Sequence, residues 1–279
     1  MFNFLSMFNI NKLKNKALWV RKETLKIYQI NSDIRLASSL SPIEIFTVLY
    51  YGKILKYNAK DILWEKRDRF IISKPHGAIS LYPILADLGF IDKKEISRMG
   101  QNNSLLGGIP DHTIPGIETI NGALGHGLGL ACGISLGLKN KKSSSKVFVL
   151  SGDGELFEGA VWEAVMFAGH HKLDNLILII DNNKISMLDY CKNIIDLNPL
   201  QKKFETLKWE VETVNGHDVK ELHNSLKNLK EKKTNKPKVL IANTVKGKGV
   251  YQLENDSLCH VKKLTKEQII NALNKLDGK

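Results

Sequence analysis

The chain has 279 residues, of which 43% are hydrophobic and 25% charged, a composition typical of a soluble globular protein. Its formal net charge of +12 comes from lysines that are spread along the chain with few aromatic residues between them; because no nucleic-acid-binding motif accompanies them, we interpret them as solvated faces that also attract phosphorylated ligands. No apolar run approaches the roughly 20 residues of a membrane span, and the three cysteines have no CxxC spacing, which together predict a cytoplasmic protein without a disulfide framework.

The first elements are predicted to be helices. Apolar residues recur at helical spacing in residues 11–30, whereas residues 31–40 show no clear period and are expected to be irregular. Ser41, Pro42 and Glu44 have the residue types of an N-cap, a first helical position and the acidic partner in a capping box. A helix is therefore predicted to begin at this point.

A short strand at residues 70–72 is followed by His76, where the chain turns into an apolar helix. A lone histidine after a strand is usually structural, but such a strand end also lies on the ligand-binding side of a parallel sheet. Residues 106–137 are rich in glycine yet apolar between the glycines, unlike a flexible linker. Close approach of the backbone to a ligand or a partner helix explains this composition better.

The centre of the chain has the pattern of a strand, a loop, a helix and a second strand. An apolar run at residues 147–150 leads into Gly152-Asp153-Gly154, apolar residues then recur at helical spacing, and a second apolar run at residues 176–180 ends near Asn183. Parallel strands joined by a right-handed crossover are expected. Ligands bind beyond the carboxyl ends of such strands, which is where both polar clusters fall.

The residue types of these clusters suit a metal and a phosphate. Asp153 offers a carboxylate and Asn183 a carbonyl oxygen, and both are hard ligands for Mg²⁺. The neighbouring glycines allow backbone amides to approach a phosphate near a helix N-terminus. Either cluster alone would more often be an ordinary turn. The two together, 30 positions apart at the ends of successive strands, are far more specific.

The remaining elements complete an α/β fold. Strands are predicted at residues 209–214 and 239–245 and helices at residues 219–229 and 265–276, the last with Thr265 and Gln268 as a capping box. We predict a mostly parallel central sheet with helices on both faces, formed by one domain over residues 1–279. Residues 1–10 are expected to be a flexible N-terminus.

The stretch from Gly152 to Asn183 resembles the thiamine diphosphate motif, which starts with Gly-Asp-Gly and ends near Asn-Asn. Four further segments match in order, so that the chain resembles the N-terminal, diphosphate-binding domain of transketolases. The five matching segments are RDRFIISKPHG, PGIETINGALGHG, SGDGELFEGAVWEA, DNNKIS and TVKGKGV. The resemblance implies the thiamine diphosphate-binding fold, and it implies thiamine diphosphate and Mg²⁺ (or Ca²⁺ or Mn²⁺) as cofactors.

The resemblance also implies the site residues. Asp153, Asn183 and the backbone carbonyl of Ile185 would hold the metal. The residues that would contact the cofactor are His76, Gly122, Leu124, Gly152, Asp153, Gly154, Glu155, Asn183, Ile185 and His260. Gly154 would donate a backbone amide, and Gly122 and Leu124 would touch the aminopyrimidine side. The catalytic residues would be His76 and His260, at the diphosphate and reacting carbon, and Glu158, in a proton relay at a domain interface.

A whole transketolase is more than twice as long as this chain, and its pyrimidine-binding domain supplies the glutamate that activates the cofactor. The resemblance therefore implies one half of a split transketolase of carbohydrate metabolism. It would transfer a two-carbon ketol unit from a ketose to an aldose only with a separate C-terminal subunit, and a heterotetramer is the expected assembly. An α subunit of a 2-oxoacid dehydrogenase would share the central motif but not RDRFIISKPHG or TVKGKGV. A scaffold without turnover would not need intact Asp153, Asn183, Glu158 and His76.

Two positions depart from the resembled family. Arg35 and Ile109 stand where the family usually has histidines that touch the ketose donor. Isoleucine cannot hydrogen-bond through its side chain, and arginine offers a planar, permanently charged fork. These replacements leave cofactor binding intact and predict an altered range of donors, including donors with an acidic group near the reacting carbon.

Overall fold

The computed structural model describes residues 9–278 and contains a five-stranded sheet in which every neighbouring pair of strands is parallel. The strands are β1 (Arg69–Ile72), β2 (Val147–Gly152), β3 (Leu176–Asn182), β4 (Glu210–Asn215) and β5 (Lys238–Asn243). Their order across the sheet is β1-β2-β3-β5-β4. Helices cover both faces, so the predicted α/β class with a parallel sheet is confirmed.

The helices agree with the predicted pattern over most of the chain. They are α1 (Ile10–Ile30), α2 (Leu36–Leu40), α3 (Ile43–Tyr51), α4 (Tyr82–Asp87), α5 (Lys94–Ser97), α6 (Gly127–Asn140), α7 (Gly159–His170), α8 (Cys191–Ile194), α9 (Leu200–Thr206), α10 (Val219–Glu231) and α11 (Lys266–Leu276). Two 3₁₀ segments, Pro75–Leu81 and Gly154–Phe157, directly follow the loops after β1 and β2. None of the helices in the described range could span a membrane.

The sheet is buried on both faces, which explains its uninterrupted apolar strands. Along β2, Phe148 and Leu150 point into a core shared with α1 to α4, α10 and α11. Val147 and Val149 point into a second core on the opposite face, shared with α6, α7 and α9. Because alternate side chains enter different cores, neither face tolerates polar residues, and the strands read as short continuous runs.

Two expectations for the region before α3 are wrong. Residues 31–40 are not wholly irregular, because α2 occupies their second half. The capping box at Ser41 and Glu44 does not form, since α3 has no side-chain cap. The hydroxyl of Ser41 instead donates to Asp181 at 2.6 Å, and Glu44 pairs with Arg21 in the interior. Both side chains are buried, so tertiary partners replace the local bonds of a capping box.

The two ends of the described chain are regular. Thr265 and Gln268 form the predicted capping box at the start of α11. At the other end, Asn9 caps α1 and accepts a bond from the amide of Lys12 at 3.0 Å. The predicted flexible segment 1–10 is thus helical at Ile10, while residues 1–8 lie outside the described range.

Candidate active site

A cavity of ≈ 160 Å³ lies at the carboxyl edge of the sheet, where the loops after β1, β2, β3 and β5 converge. The residues that line it include ten predicted site residues: His76, Gly122, Leu124, Gly152, Asp153, Gly154, Glu155, Asn183, Ile185 and His260. Parallel strands end at the same edge, so residues far apart in sequence meet there. Glu158 is the one predicted residue outside this lining.

Asp153 is a buried carboxylate held by backbone amides. It caps the 3₁₀ segment after β2, accepts a hydrogen bond from the amide of Gly154 at 2.8 Å and accepts a second from the amide of Lys184. Burial, and then the neighbouring charge of Asp181, raises the pKa of Asp153 to about 6. Within residues 9–278 it forms no ion pair. A buried anion of this kind favours an added cation.

Asn183 and Ile185 shape the turn after β3. The amide oxygen of Asn183 accepts from the backbone of Ile185 at 3.2 Å, and its amide nitrogen donates to Asp181 at 3.3 Å. The carbonyl of Ile185, a predicted metal ligand, already accepts from the ammonium of Lys246 at 2.9 Å. Lys246 also donates to the carbonyl of Ser186 at 2.6 Å. A metal at Ile185 would therefore share this carbonyl with Lys246 or displace it.

Lys246 and Asp181 were not identified from the sequence, although both directly follow or end strands at this edge. Asp181 pairs with Lys74 and accepts from the hydroxyls of Ser41 and Thr244, so it ties four loops together. Burial alone would raise the pKa of Asp181, but the charge of Lys74 and these hydrogen bonds hold it below its ordinary value. Burial and the charge of Lys74 lower the pKa of Lys246 to about 8.

His76 and His260 form a pair, with ring centroids 5.2 Å apart. Ser38 on α2 bonds Nδ1 of His260 at 3.0 Å, and the hydroxyl of Ser39 donates to the backbone carbonyl of His76 at 2.8 Å. Burial and then the charge of Lys246 lower the pKa of His260 to about 3. Burial and nearby cations also lower the pKa of His76. Both rings are neutral near pH 7, so each can donate one hydrogen bond and accept another.

The two glutamates after Gly154 differ. Glu155 is buried, and its carboxylate accepts from the amide of Gly125 at 2.9 Å and the hydroxyl of Ser151 at 2.8 Å, besides a bond from Ser73. It therefore holds the glycine-rich loop against the sheet. Glu158 is exposed at the start of α7. A Cβ on Gly125, whose φ is +86°, would come within 2.8 Å of the Cβ of Glu158, so this turn needs glycine.

These residues fit a diphosphate held through a metal ion. No group of three or more His, Cys, Asp or Glu side chains in the part of the chain that the structure describes could hold a metal by itself. A metal beside Asp153 would consequently need oxygen ligands from a bound molecule, which is how Mg²⁺ commonly binds between one carboxylate and phosphate groups. Gly152 and Gly154 flank Asp153 and leave room for the backbone to approach a phosphate.

An apolar surface adjoins the cavity. Leu124 lines the cavity and is 42% exposed, and Leu130 on α6 and Met166 and Phe167 on α7 are similarly exposed. Gly129, Gly133 and Gly137 open along the same side of α6, because a Cβ on any of them would meet no neighbouring atom within 4 Å. The α6–α7 face, defined as Gly129, Leu130, Gly133, Met166 and Phe167, is therefore apolar and uncovered in the chain alone.

The fold and the cavity define a thiamine diphosphate-binding domain, and the model of the family "Transketolase, thiamine diphosphate binding domain" matches residues 36–278. The chain belongs to the transketolase family. One chain of an apulose-4-phosphate transketolase from Actinobacillus succinogenes, named as a subunit of that enzyme, is 37% identical over 269 residues, which cover 95% of this chain and 96% of that protein. A 6-deoxy-6-sulfo-D-fructose transketolase subunit from Clostridium sp. is 32% identical over 259 residues, which cover 91% and 92%.

A solved structure shows the same relation at the level of the fold. The transketolase of Campylobacter jejuni superposes with a TM-score of 0.90 and 31% identity, covering 97% of this chain and 43% of that chain. The chain thus spans less than half the length of that transketolase, whereas it spans nearly all of the two subunits. The predicted family and fold are confirmed, and the alternative of a 2-oxoacid dehydrogenase subunit is not favoured.

Proposed function

We propose that the chain is the N-terminal subunit of a two-chain, thiamine diphosphate-dependent transketolase-like enzyme. It transfers a two-carbon ketol unit from a ketose donor to an aldose acceptor in cytoplasmic carbohydrate metabolism. The observation that carries this proposal is the cavity that gathers ten predicted site residues beside an uncovered apolar face. The near end-to-end match to proteins named as transketolase subunits supports the division into two chains.

The residues of the cavity have separate roles in this proposal. Asp153, Asn183 and the carbonyl of Ile185 hold Mg²⁺, or Ca²⁺ or Mn²⁺ in its place, against the diphosphate, and the backbone of Gly154 donates to a phosphate oxygen. Gly152 keeps the approach open, while Glu155 supports the loop from behind. When bound, thiamine diphosphate supplies the nucleophilic carbon that breaks and forms carbon–carbon bonds.

Proton transfer falls to neutral side chains. His76 and His260 stand together at the deep side of the loops, and each can exchange a proton or hydrogen bond with substrate oxygens. Gly122 and Leu124 line the edge of the cavity next to the α6–α7 face, where they contact the aminopyrimidine side of the cofactor. Glu158, exposed beside Gly125, contributes to a proton relay across the interface between the chains.

A separate C-terminal subunit completes the site. It carries the pyrimidine-binding domain and the activating glutamate, and it covers the α6–α7 face. The exposed side chains of Leu130, Met166 and Phe167 support this arrangement, because apolar surface of this kind is usually covered in an assembly. Two copies of each chain then form a heterotetramer.

Reconstitution tests the proposal. The chain, its partner and their equimolar mixture are assayed with thiamine diphosphate, Mg²⁺, a ketose or hydroxypyruvate donor and ribose 5-phosphate as acceptor. We expect ketol transfer in the mixture and none with either chain alone. Turnover of a 2-oxoacid by oxidative decarboxylation, without ketol transfer to the aldose, would contradict the proposed reaction.

A further inference from the structure

Arg35 begins the short helix that holds both active-site histidines. Its backbone carbonyl accepts hydrogen bonds from the amide and the hydroxyl of Ser39, both at 3.3 Å, so the first turn of α2 closes on Arg35. Ser38 and Ser39, three and four positions later, contact His260 and His76. Residues at this spacing share one side of a helix. Arg35 therefore stands at the start of the side of α2 that faces the histidine pair.

The charge of Arg35 acts on that pair. The guanidinium contributes to lowering the pKa of both His76 and His260, after burial in each case. Arg35 is half-buried, and its side chain forms no hydrogen bond or ion pair with any residue between 9 and 278. The one carboxylate whose pKa it lowers is Asp33, an exposed group that already pairs with Lys263 at 2.8 Å.

The other cations near the histidines are engaged. Lys74 pairs with the buried Asp181, and Lys246 donates to two backbone carbonyls. Lys74 is also the cation that lowers the pKa of Asp153, at the proposed metal end of the cavity. Within the described residues, Arg35 is thus a cation without a counter-ion at the histidine end, where a substrate reacts, and a planar fork of this kind suits an oxyanion.

We propose that Arg35 binds a carboxylate, or a similar oxyanion, carried by the ketol donor next to its reacting carbonyl, and so selects the donor class. This inference rests on the proposed transketolase-like function. It names a specificity-determining residue on this chain rather than on the partner. Because the fork offers two parallel N–H groups to one oxyanion, a lysine in its place recovers only part of the effect.

The first experiment compares donors in the reconstituted two-chain enzyme. Wild type, Arg35→Met and Arg35→Lys are assayed with hydroxypyruvate, with neutral L-erythrulose and with xylulose 5-phosphate, all with one acceptor. We expect the ratio of kcat/KM for hydroxypyruvate to kcat/KM for erythrulose to fall by about 30-fold in Arg35→Met, mostly through KM, and by less in Arg35→Lys. An unchanged ratio would overturn the proposal, as would a fall confined to xylulose 5-phosphate, whose phosphate lies far from the carbonyl.

The second experiment separates the donor from the cofactor as the source of the anion. Calorimetry measures thiamine diphosphate binding, with Mg²⁺, to the two-chain complex of wild type and of Arg35→Met. We expect equal affinities within about threefold. A loss of tenfold or more would assign Arg35 to the diphosphate and overturn the proposal.

A third measurement does not depend on turnover. The ring signals of His76 and His260 in the chain itself are followed by NMR during titration with glycolate, a two-carbon hydroxy acid. We expect saturable shifts at millimolar glycolate that vanish in Arg35→Met and persist in Lys227→Met, which removes an exposed cation from α10. Shifts that persist in Arg35→Met, or no shifts in wild type, would overturn the anion site even if the enzyme proved inactive with every donor.

Discussion

Asp153 and Asp181 lie close together at the ends of β2 and β3, but only Asp181 has an ammonium partner among the described residues. Two buried carboxylates with one cation between them leave an excess of negative charge, which the raised pKa of Asp153 reflects. The backbone amides of Gly154 and Lys184 stabilise the carboxylate without neutralising it. We expect a divalent cation to supply the missing charge when the cofactor binds.

Asp153→Asn tests this charge balance in the assembled enzyme. Asparagine keeps the size of the side chain but supplies no charge to a cation held against an anionic diphosphate. We predict that the affinity for thiamine diphosphate with Mg²⁺ falls at least about 100-fold, or ~2.8 kcal/mol. Calorimetry on the two-chain complex measures this affinity. Binding that matches wild type would remove Asp153 from the metal site.

His260 gives a prediction about pH. Its folded-state pKa of about 3 lies below the ordinary value of 6.5, so between these values the unfolded chain takes up a proton that the folded chain refuses. The free energy of unfolding therefore falls as the pH drops through this window, and the part due to His260 is fully retained above about pH 6.5. The half-buried position of the ring reduces the size of the effect, because solvent screens it.

In His260→Asn that part of the acid sensitivity is lost. We predict that the free energy of unfolding drops by roughly 1 kcal/mol less in the variant than in wild type between about pH 7.5 and about pH 4.5. Urea denaturation of the chain at the two pH values measures both drops. If the two drops were equal, the ring would not be shielded from protonation in the folded chain.

At the scale of elements, the glycine-rich segment serves two purposes. Gly125 and Gly127 pack closely inside the chain, because a Cβ on either would collide with Glu158 or Ser73. Gly129, Gly133 and Gly137 face outward along α6, and a Cβ there would meet nothing. Glycine inside a helix is destabilising by ~0.5–1 kcal/mol relative to alanine, so three such glycines on one side suit close contact with a partner.

Gly133→Leu separates folding from assembly. The isolated chain should be as stable as wild type or more stable by up to ~1 kcal/mol, since the new side chain has open space and glycine is a poor helix former. Association with the partner should weaken at least about tenfold, because leucine holds the two surfaces apart. Thermal unfolding and surface plasmon resonance measure the two effects.

Asn224→Leu on α10 provides the matched control, because it adds an apolar side chain at an exposed position on the opposite face of the sheet. It should leave association unchanged. If Gly133→Leu bound the partner as tightly as this control does, the α6–α7 face would not be the interface.

The elements themselves were largely predictable from the sequence, for a physical reason. Each strand is buried on both faces and appears as a short apolar run, and helices such as α10 show a regular apolar stripe. The capping box at Thr265 formed because its residues are exposed and have no competing partners within the described chain. The one at Ser41 failed because Asp181, 140 positions away, bonds the same hydroxyl.

At the scale of the whole molecule, the sequence located the cavity but not its internal ties. Asp153, Asn183 and His76 follow strand ends, and a parallel sheet brings all strand ends to one edge. Lys74 and Lys246 could not be distinguished by pattern from the many solvated lysines, because their importance depends on burial and on partners from other loops. Similarly, only the structure leaves Arg35 without a counter-ion within the described residues.

In the proposed enzyme this chain forms half of a cofactor site that a second chain completes. The residues for the diphosphate side line the cavity, and the α6–α7 face beside it is uncovered. Affinity for the cofactor should consequently depend on both chains, since the chain alone can contact only one end of the molecule.

Isothermal titration calorimetry with thiamine diphosphate and Mg²⁺ measures this directly in the chain alone, the partner alone and their equimolar mixture. We predict one cofactor bound per pair of chains in the mixture, with an affinity at least about 100-fold higher than that of either chain alone. Binding by the isolated chain as tight as that of the mixture would contradict a site shared between the two chains.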